Sequence, residues 1–317
     1  MRDTDEGVLS GSGRAPSCIR EVGMIEFYRS HSTFSDPGAM ASWLDGTAGE
    51  PPSLRLASSG LVFHYRAHGD IAGHGFAPER MAEINLRYAD SMFARLHELN
   101  PDPPDAPRPV TDRLVGCCRD CTLLFVALAR HHGIPARSRV GFARYLAPGW
   151  AMDHVIAEVW DGERWRLVEP EMPAGHVDPT TGTVLDLLDV PRDRFLVAAD
   201  AWRACRSGAA DPARFVVAPE LEMPILRGWP YLLHNLVLDL AALNKHEMIL
   251  WDGWGVMASD VDEATAVRMD GVAAVLADPD AGLDEIRAVY AAEDLRVPPV
   301  VTSLAEPGGP LTRVELR

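Results

Sequence analysis

Three residues of this chain have the types and order that cysteine acyl-transfer chemistry requires. Cys118 opens an apolar stretch, His154 opens a β-rich run, and Glu169 closes the next one. In such chemistry the sulfur attacks a carbonyl carbon and forms an acyl-thioester. The imidazole carries the protons, and the carboxylate fixes its tautomer and supports its charge. Trp150, Arg119 and Asp153 flank these positions in sequence and are candidate substrate-binding residues.

The elements that must position these groups are legible. Thr122 to Arg130 reads Thr-Leu-Leu-Phe-Val-Ala-Leu-Ala-Arg, apolar nearly all round, which predicts a buried helix. Arg130, His131 and His132 suit its C-terminal turn, and Gly133 and Pro135 stop it. The helix then starts near Cys118, where unpaired N–H groups and the positive end of the helix dipole are expected to lower a thiol pKa. These N–H groups are also candidates to hold a developing oxyanion.

His154 to Trp160 and Arg164 to Glu169 are β-branched and aromatic runs separated by Asp161-Gly162, a hairpin signal. With Asp161 and Gly162 as the loop, the numbers of opposing residues add to 323. His154 then faces Glu169 directly, with Cβ atoms about 4.5–5.5 Å apart.

These residues closely resemble the bacterial transglutaminase-like proteins. The family pattern reads Val-Gly-Asn-Cys-Arg, an apolar helix, Gly-Ile-Pro-Ala-Arg, Asp-His at a strand start, then Trp-x-Leu-Val-Asp. This chain has Val115-Gly116-Cys117-Cys118-Arg119, Gly133 to Arg137, Asp153-His154 and Trp165-Arg166-Leu167-Val168-Glu169. Phe27 to Gly38 resembles the start of these proteins, and Asp239 to Lys245 with Trp251-Asp252 resembles their C-terminal segment. The resemblance implies an α+β, papain-like cysteine fold with additional C-terminal helices, and it selects Cys118 as nucleophile. The superfamily contains cross-linkers, amide hydrolases, aminoacyl transferases and inactive members, so it implies a chemistry without fixing the reaction. Two departures stand out: Glu169 replaces an Asp, and Cys117 and Cys121 crowd the helix start with extra thiols.

Cys121 lies three residues beyond Cys118 and shares its helix face. Cys118-Arg119-Asp120-Cys121 is also a C-x-x-C at a helix start, which admits a thiol–disulfide redox reading. A zinc site using these thiols with His131 or His154 lacks the second ligand pair that structural zinc usually has. A catalytically inactive binding protein is the remaining alternative. No cofactor and no metal are expected, and no EF-hand-like loop is present.

The chain has 317 residues, 47% of them hydrophobic, with a mean hydropathy of −0.06, as in soluble globular proteins. A net charge of −16 argues against nucleic acid or an anionic membrane as partner. No apolar run reaches a membrane span, and the N-terminus has no apolar signal core. Five cysteines suit a reducing cytoplasm. The expected partner is a small-molecule or peptide substrate, with amine or water as acyl acceptor.

Residues 1–23 read as a flexible extension, with Met24 an alternative start. Residues 24–295 read as a transglutaminase-like domain with its catalytic core at about 77–172 and a helical part at about 190–292. Residues 296–317 read as a peripheral tail. Within this frame Ala77–Asn100 and Pro191–Cys205 are each expected to form one helix, Pro230–Trp254 a longer one, and Val261–Ala292 one or two.

Overall fold

The computed structural model describes residues 17–258, 260–305 and 309–317; residues 1–16 of the expected extension lie outside the described residues. In chain order the first elements are α1 (Ser17–Arg29), α2 (Ala41–Leu44), α3 (Pro51–Leu61), β1 (Val62–His64), α4 (Ala89–Leu99), β2 (Leu114–Gly116) and α5 (Cys118–His131). The central strands are β3 (Ala136–Ala143), β4 (Ala151–Trp160), β5 (Trp165–Val168) and β6 (Phe195–Val197). Then come α6 (Ala198–Arg206), β7 (Phe215–Val216), α7 (Gly228–Leu243), β8 (Asp252–Gly253), α8 (Glu263–Ala277), α9 (Leu283–Tyr290), β9 (Val300–Ser303) and β10 (Thr312–Glu315).

The architecture is α+β and papain-like: the buried helix α5 packs on an antiparallel sheet of order β5-β4-β3-β6. Residues of β4 alternate between two cores, as the period of a strand requires. Val155, Ala157 and Val159 join the large core that contains α5, while Ile156 packs in a smaller one with Tyr145, Leu167 and Phe195. From the same side as Ile156, Glu158 binds Arg137, Arg139 and Arg192. Arg139 also grips Asp239 with two hydrogen bonds, of 3.0 and 2.8 Å, clamping β3 to α7. Replacing either end of such a buried pair leaves an uncompensated charge, so these contacts fix how the C-terminal helices sit on the sheet.

Several elements differ from expectation for identifiable reasons. The predicted 77–100 helix is split into a 3₁₀ stretch, Pro78–Asn85, and α4. At the break Arg119 takes the carbonyls of Leu86 and Arg87, and the Arg87 side chain turns away to chelate Asp252. The predicted 191–205 helix starts only at Ala198, because Phe195–Val197 pairs with Gly141–Ala143 as β6. Gly141 permits this pairing: a Cβ there would lie 2.2 Å from the Leu196 carbonyl oxygen. Residues 17–23 are helical, not an irregular extension. The expected tail instead contributes β9 and β10, which extend β8 into a three-stranded sheet. The long helix predicted from Pro230 ends at Leu243, followed by Lys245 at φ 61°. Val261–Ala292 contains two helices, α8 and α9.

Candidate active site

Helix α5 begins where its sequence indicates. The Cys117 N–H donates to Asp120 Oδ2 at 2.9 Å, capping the helix start, and Cys118 is the first helical residue. Gly116 is required just before it, since a Cβ would lie 2.6 Å from the same Asp120 oxygen. One turn after Cys118, the Thr122 hydroxyl donates to the Val155 carbonyl at 2.8 Å. This bond anchors the first turns of α5 beside the strand residue that follows His154. Cys118 is 3% exposed, yet it lines a cavity of about 1130 Å³ together with Asp153 and His154.

His154 and Glu169 meet, but not through the expected register. The numbers of opposing residues in the hairpin add to 325, as in Trp160 opposite Trp165 and Ala157 opposite Val168. The Asp161 carboxylate accepts the N–H groups of Glu163 and Arg164, which puts Asp161 at the first corner of the turn and makes Gly162-Glu163 its centre. A shift of two leaves every side chain on its own face. Glu169 is therefore diagonal to His154, not opposite, and its extra methylene relative to Asp spans the offset. His154 Nε2 donates to Glu169 Oε2 at 2.8 Å. The Tyr145 hydroxyl donates to the same oxygen, and Glu171 N–H to the other at 2.9 Å. With Nε2 engaged, Nδ1 is the ring nitrogen left for proton transfer.

The remaining candidates divide. Asp153 lines the cavity and accepts from Tyr231 Oη at 2.6 Å and Asn235 Nδ2 at 3.0 Å. Trp150 does not line it; its ring lies under Arg214, 5.1 Å away. Arg119 is no substrate ligand either: it is buried and spends its donors on the Glu247, Leu86 and Arg87 carbonyls and on Asp120. Cys121 is buried outside the cavity lining, which removes it from contact with anything bound there. Three residues that sequence reasoning missed, His64, Glu171 and Tyr231, line the cavity. Glu171 follows the end of β5 across a bend at Pro170, with its N–H turned back onto Glu169, so strand periodicity gave no signal for it.

The electrostatics overturn one expectation. Hydrogen bonding to Cys117, burial and the nearby Cys117, Glu171 and Asp153 push the Cys118 thiol well above its ordinary value, against the pull of the helix dipole. Burial disfavours a charged His154, but Glu169, then Glu171 and Asp153, outweigh it and raise the imidazole to about 9. Burial also opposes the charge on Glu169, which is nevertheless held below its usual range by His154, Tyr145 and the Glu171 N–H. Burial raises Asp153 to about 6 and Glu171 to about 7.

A ring nitrogen of His64, Cys118 Sγ and a Glu171 oxygen lie within 4.8 Å of one another, a metal-like set. The His64 tautomer does not fit one. Its Nδ1 accepts the N–H groups of Arg66 and Ala67 at 3.2 and 3.0 Å, so the proton sits on Nε2, the nitrogen facing Glu171. Ligation through Nε2 requires moving that proton onto Nδ1, against two backbone donors.

A cysteine-bearing helix packed against an antiparallel sheet that carries a histidine–carboxylate pair is the arrangement the resemblance implied. Residues 76–170 match the family model of the transglutaminase-like superfamily, which is similar to that stretch of the chain. A candidate cysteine protease from Cytophaga hutchinsonii is similar over 56% of this chain and 49% of its own, with 19% identity and a TM-score of 0.32. The chain thus spans about half the length of that protein. No curated protein matches. Among the described residues no helix is long and apolar enough to cross a membrane.

Proposed function

We propose that this protein forms an acyl-thioester on Cys118 and resolves it with an amine or water, acting as an acyltransferase or amidohydrolase. His154 in its neutral form, the minority species at neutral pH given its value of about 9, takes the thiol proton through Nδ1 and returns it to the leaving group. Glu169, behind the ring, holds the tautomer and stabilises the imidazolium. The observation that carries this reading is the buried 2.8 Å His154–Glu169 hydrogen bond, with His154 opening on the same cavity as Cys118. Because the thiol is raised, sulfur and proton transfer must be coupled in the attack and do not start from a free thiolate. The C-terminal elements also wall the cavity, through Trp251, Trp254 and Val300 among others. That enclosure favours a small or peptide-like substrate over a large protein. The free thiols of Cys117, Cys118, Cys121 and Cys205 support a cytoplasmic location.

The test is intact-mass spectrometry after mixing with an activated aryl ester of a short acyl chain. One acyl adduct on Cys118 is expected in the wild type and none in Cys118→Ala. Unchanged turnover by Cys118→Ala overturns the assignment.

A further inference from the structure

The cavity that opens on Cys118 is divided in its chemistry. Titratable side chains gather at the sulfur. A ring nitrogen of His64 and an oxygen of Glu171 lie within 4.8 Å of Cys118 Sγ. Asp153 lies close enough to act on the same thiol and precedes His154 on β4. The C-terminal elements supply the opposite character, through Trp251, Trp254, Met257, Val261, Val300 and Leu304.

Along this second wall the polar side chains are committed or exposed. The Thr302 hydroxyl donates to the Gly253 carbonyl at 2.8 Å, and His234 Nε2 donates to the Leu250 carbonyl at 2.7 Å. Trp254 Nε1 donates to the Leu295 carbonyl at 3.1 Å, and Trp251 Nε1 is buried, so both indoles meet the cavity through carbon. Asp260 is exposed, and Arg66 pairs with the exposed Glu220 at 3.8 Å. Ile225 and Leu311 line the cavity and are themselves exposed, which puts apolar side chains at its mouth. The volume of about 1130 Å³ exceeds the roughly 300–1,000 Å³ of ordinary small-molecule pockets. A peptide lying there would bring an N–H and a C=O per residue to side chains that offer them no partner. A hydrocarbon chain brings neither and gains from the burial.

Resting on the acyl-enzyme reading, we infer that this chamber is an acyl-chain subsite: the substrate carbonyl sits at Cys118 and an extended aliphatic acyl chain runs along the C-terminal wall. The titratable cluster then serves only the reacting carbonyl. The helices and strands after α7 select the donor by the length of its chain, which narrows the substrate to an apolar acyl ester, thioester or amide.

The experiment measures kcat/KM for acylation of the wild type by aryl esters of straight-chain acids, from acetyl to octanoyl, corrected for the rate with Cys118→Ala. It is expected to rise about 4-fold with each added methylene. A flat or falling series overturns the subsite. Met257→Glu sets a charge against the chain from the half-buried 3₁₀ turn Gly255–Ala258 and is expected to lower the octanoyl-to-acetyl ratio by at least about 10-fold. An unchanged ratio overturns the wall assignment, and if this variant does not fold the wild-type series decides alone. Binding is read separately in Cys118→Ala, which cannot be acylated: its tryptophan fluorescence is expected to change saturably with octanamide and not with acetamide. Saturable octanamide binding with no Cys118 adduct from any ester overturns the acyl-enzyme reading and leaves the chamber. Adducts with a flat chain-length series overturn the chamber and leave that reading.

Discussion

Glu169→Gln isolates the charge behind the imidazole while keeping the shape of the side chain. In the wild type the carboxylate holds His154 at about 9 although burial pulls the other way. With a neutral amide the largest raising cause is lost and the midpoint falls. A fall of about two units corresponds to about 3 kcal/mol of lost imidazolium stabilisation. If the imidazolium is needed in the transition state, kcat/KM falls roughly 100-fold. The same quantity appears in stability. Because the folded pKa of His154 is raised, its contribution is fully present below about 6.5 and is lost as the pH rises through about 9. The partner carboxylate sets the acid limit, since the pair is lost again as Glu169 is protonated at a folded value below its ordinary 4.5. The assay is an NMR titration of the His154 Cε1–H, identified by its absence in His154→Asn, alongside urea unfolding across the same pH range. The wild type is expected to titrate near 9 and to lose stability there, and the variant to do neither. A Glu169→Gln midpoint within about one unit of wild type refutes the electrostatic reasoning.

The raised thiol predicts that alkylation of Cys118 by iodoacetamide climbs toward alkaline pH; a plateau beginning below the free-thiol value of about 8.5 contradicts it. Gly141→Ala forces a Cβ to within 2.2 Å of the Leu196 carbonyl and should prise β6 from β3, costing upward of about 2 kcal/mol in urea unfolding. An unchanged unfolding midpoint refutes that close approach.

Local signals carried through wherever one force dominates. The Cys118–His131 helix is apolar over most of its surface and capped at both ends, so burial and helix periodicity point to the same segment. The hairpin survived an error in its turn because strand geometry has period two. Shifting the loop from Asp161-Gly162 to Gly162-Glu163 moves the register by two and keeps His154 and Glu169 on one face. Residues 77–99 failed for the opposite reason. Their periodicity is helical, but the buried Arg119 guanidinium needs the Leu86 and Arg87 carbonyls, and that distant demand breaks the helix. Similarly, Phe195–Val197 is a strand-compatible run too short to stand out from the helical segment after it, and it pairs as β6 where Gly141 leaves room on β3.

The chain's order of residue types alone determined the helix that carries the thiol, the hairpin that carries the imidazole and acid, and the superfamily whose chemistry they resemble. These follow from periodicity, capping and turn residues, which act over a few positions. Tertiary structure decided what surrounds the sulfur: that Trp150 and Arg119 are elsewhere, that His64 arrives on β1 with a fixed tautomer, and that Glu171 Oε2 is left without a hydrogen-bond partner. The ionisation of the thiol was decided at the same level. It depends on burial and on charges brought from separate elements, and such fields exist only once the chain has folded.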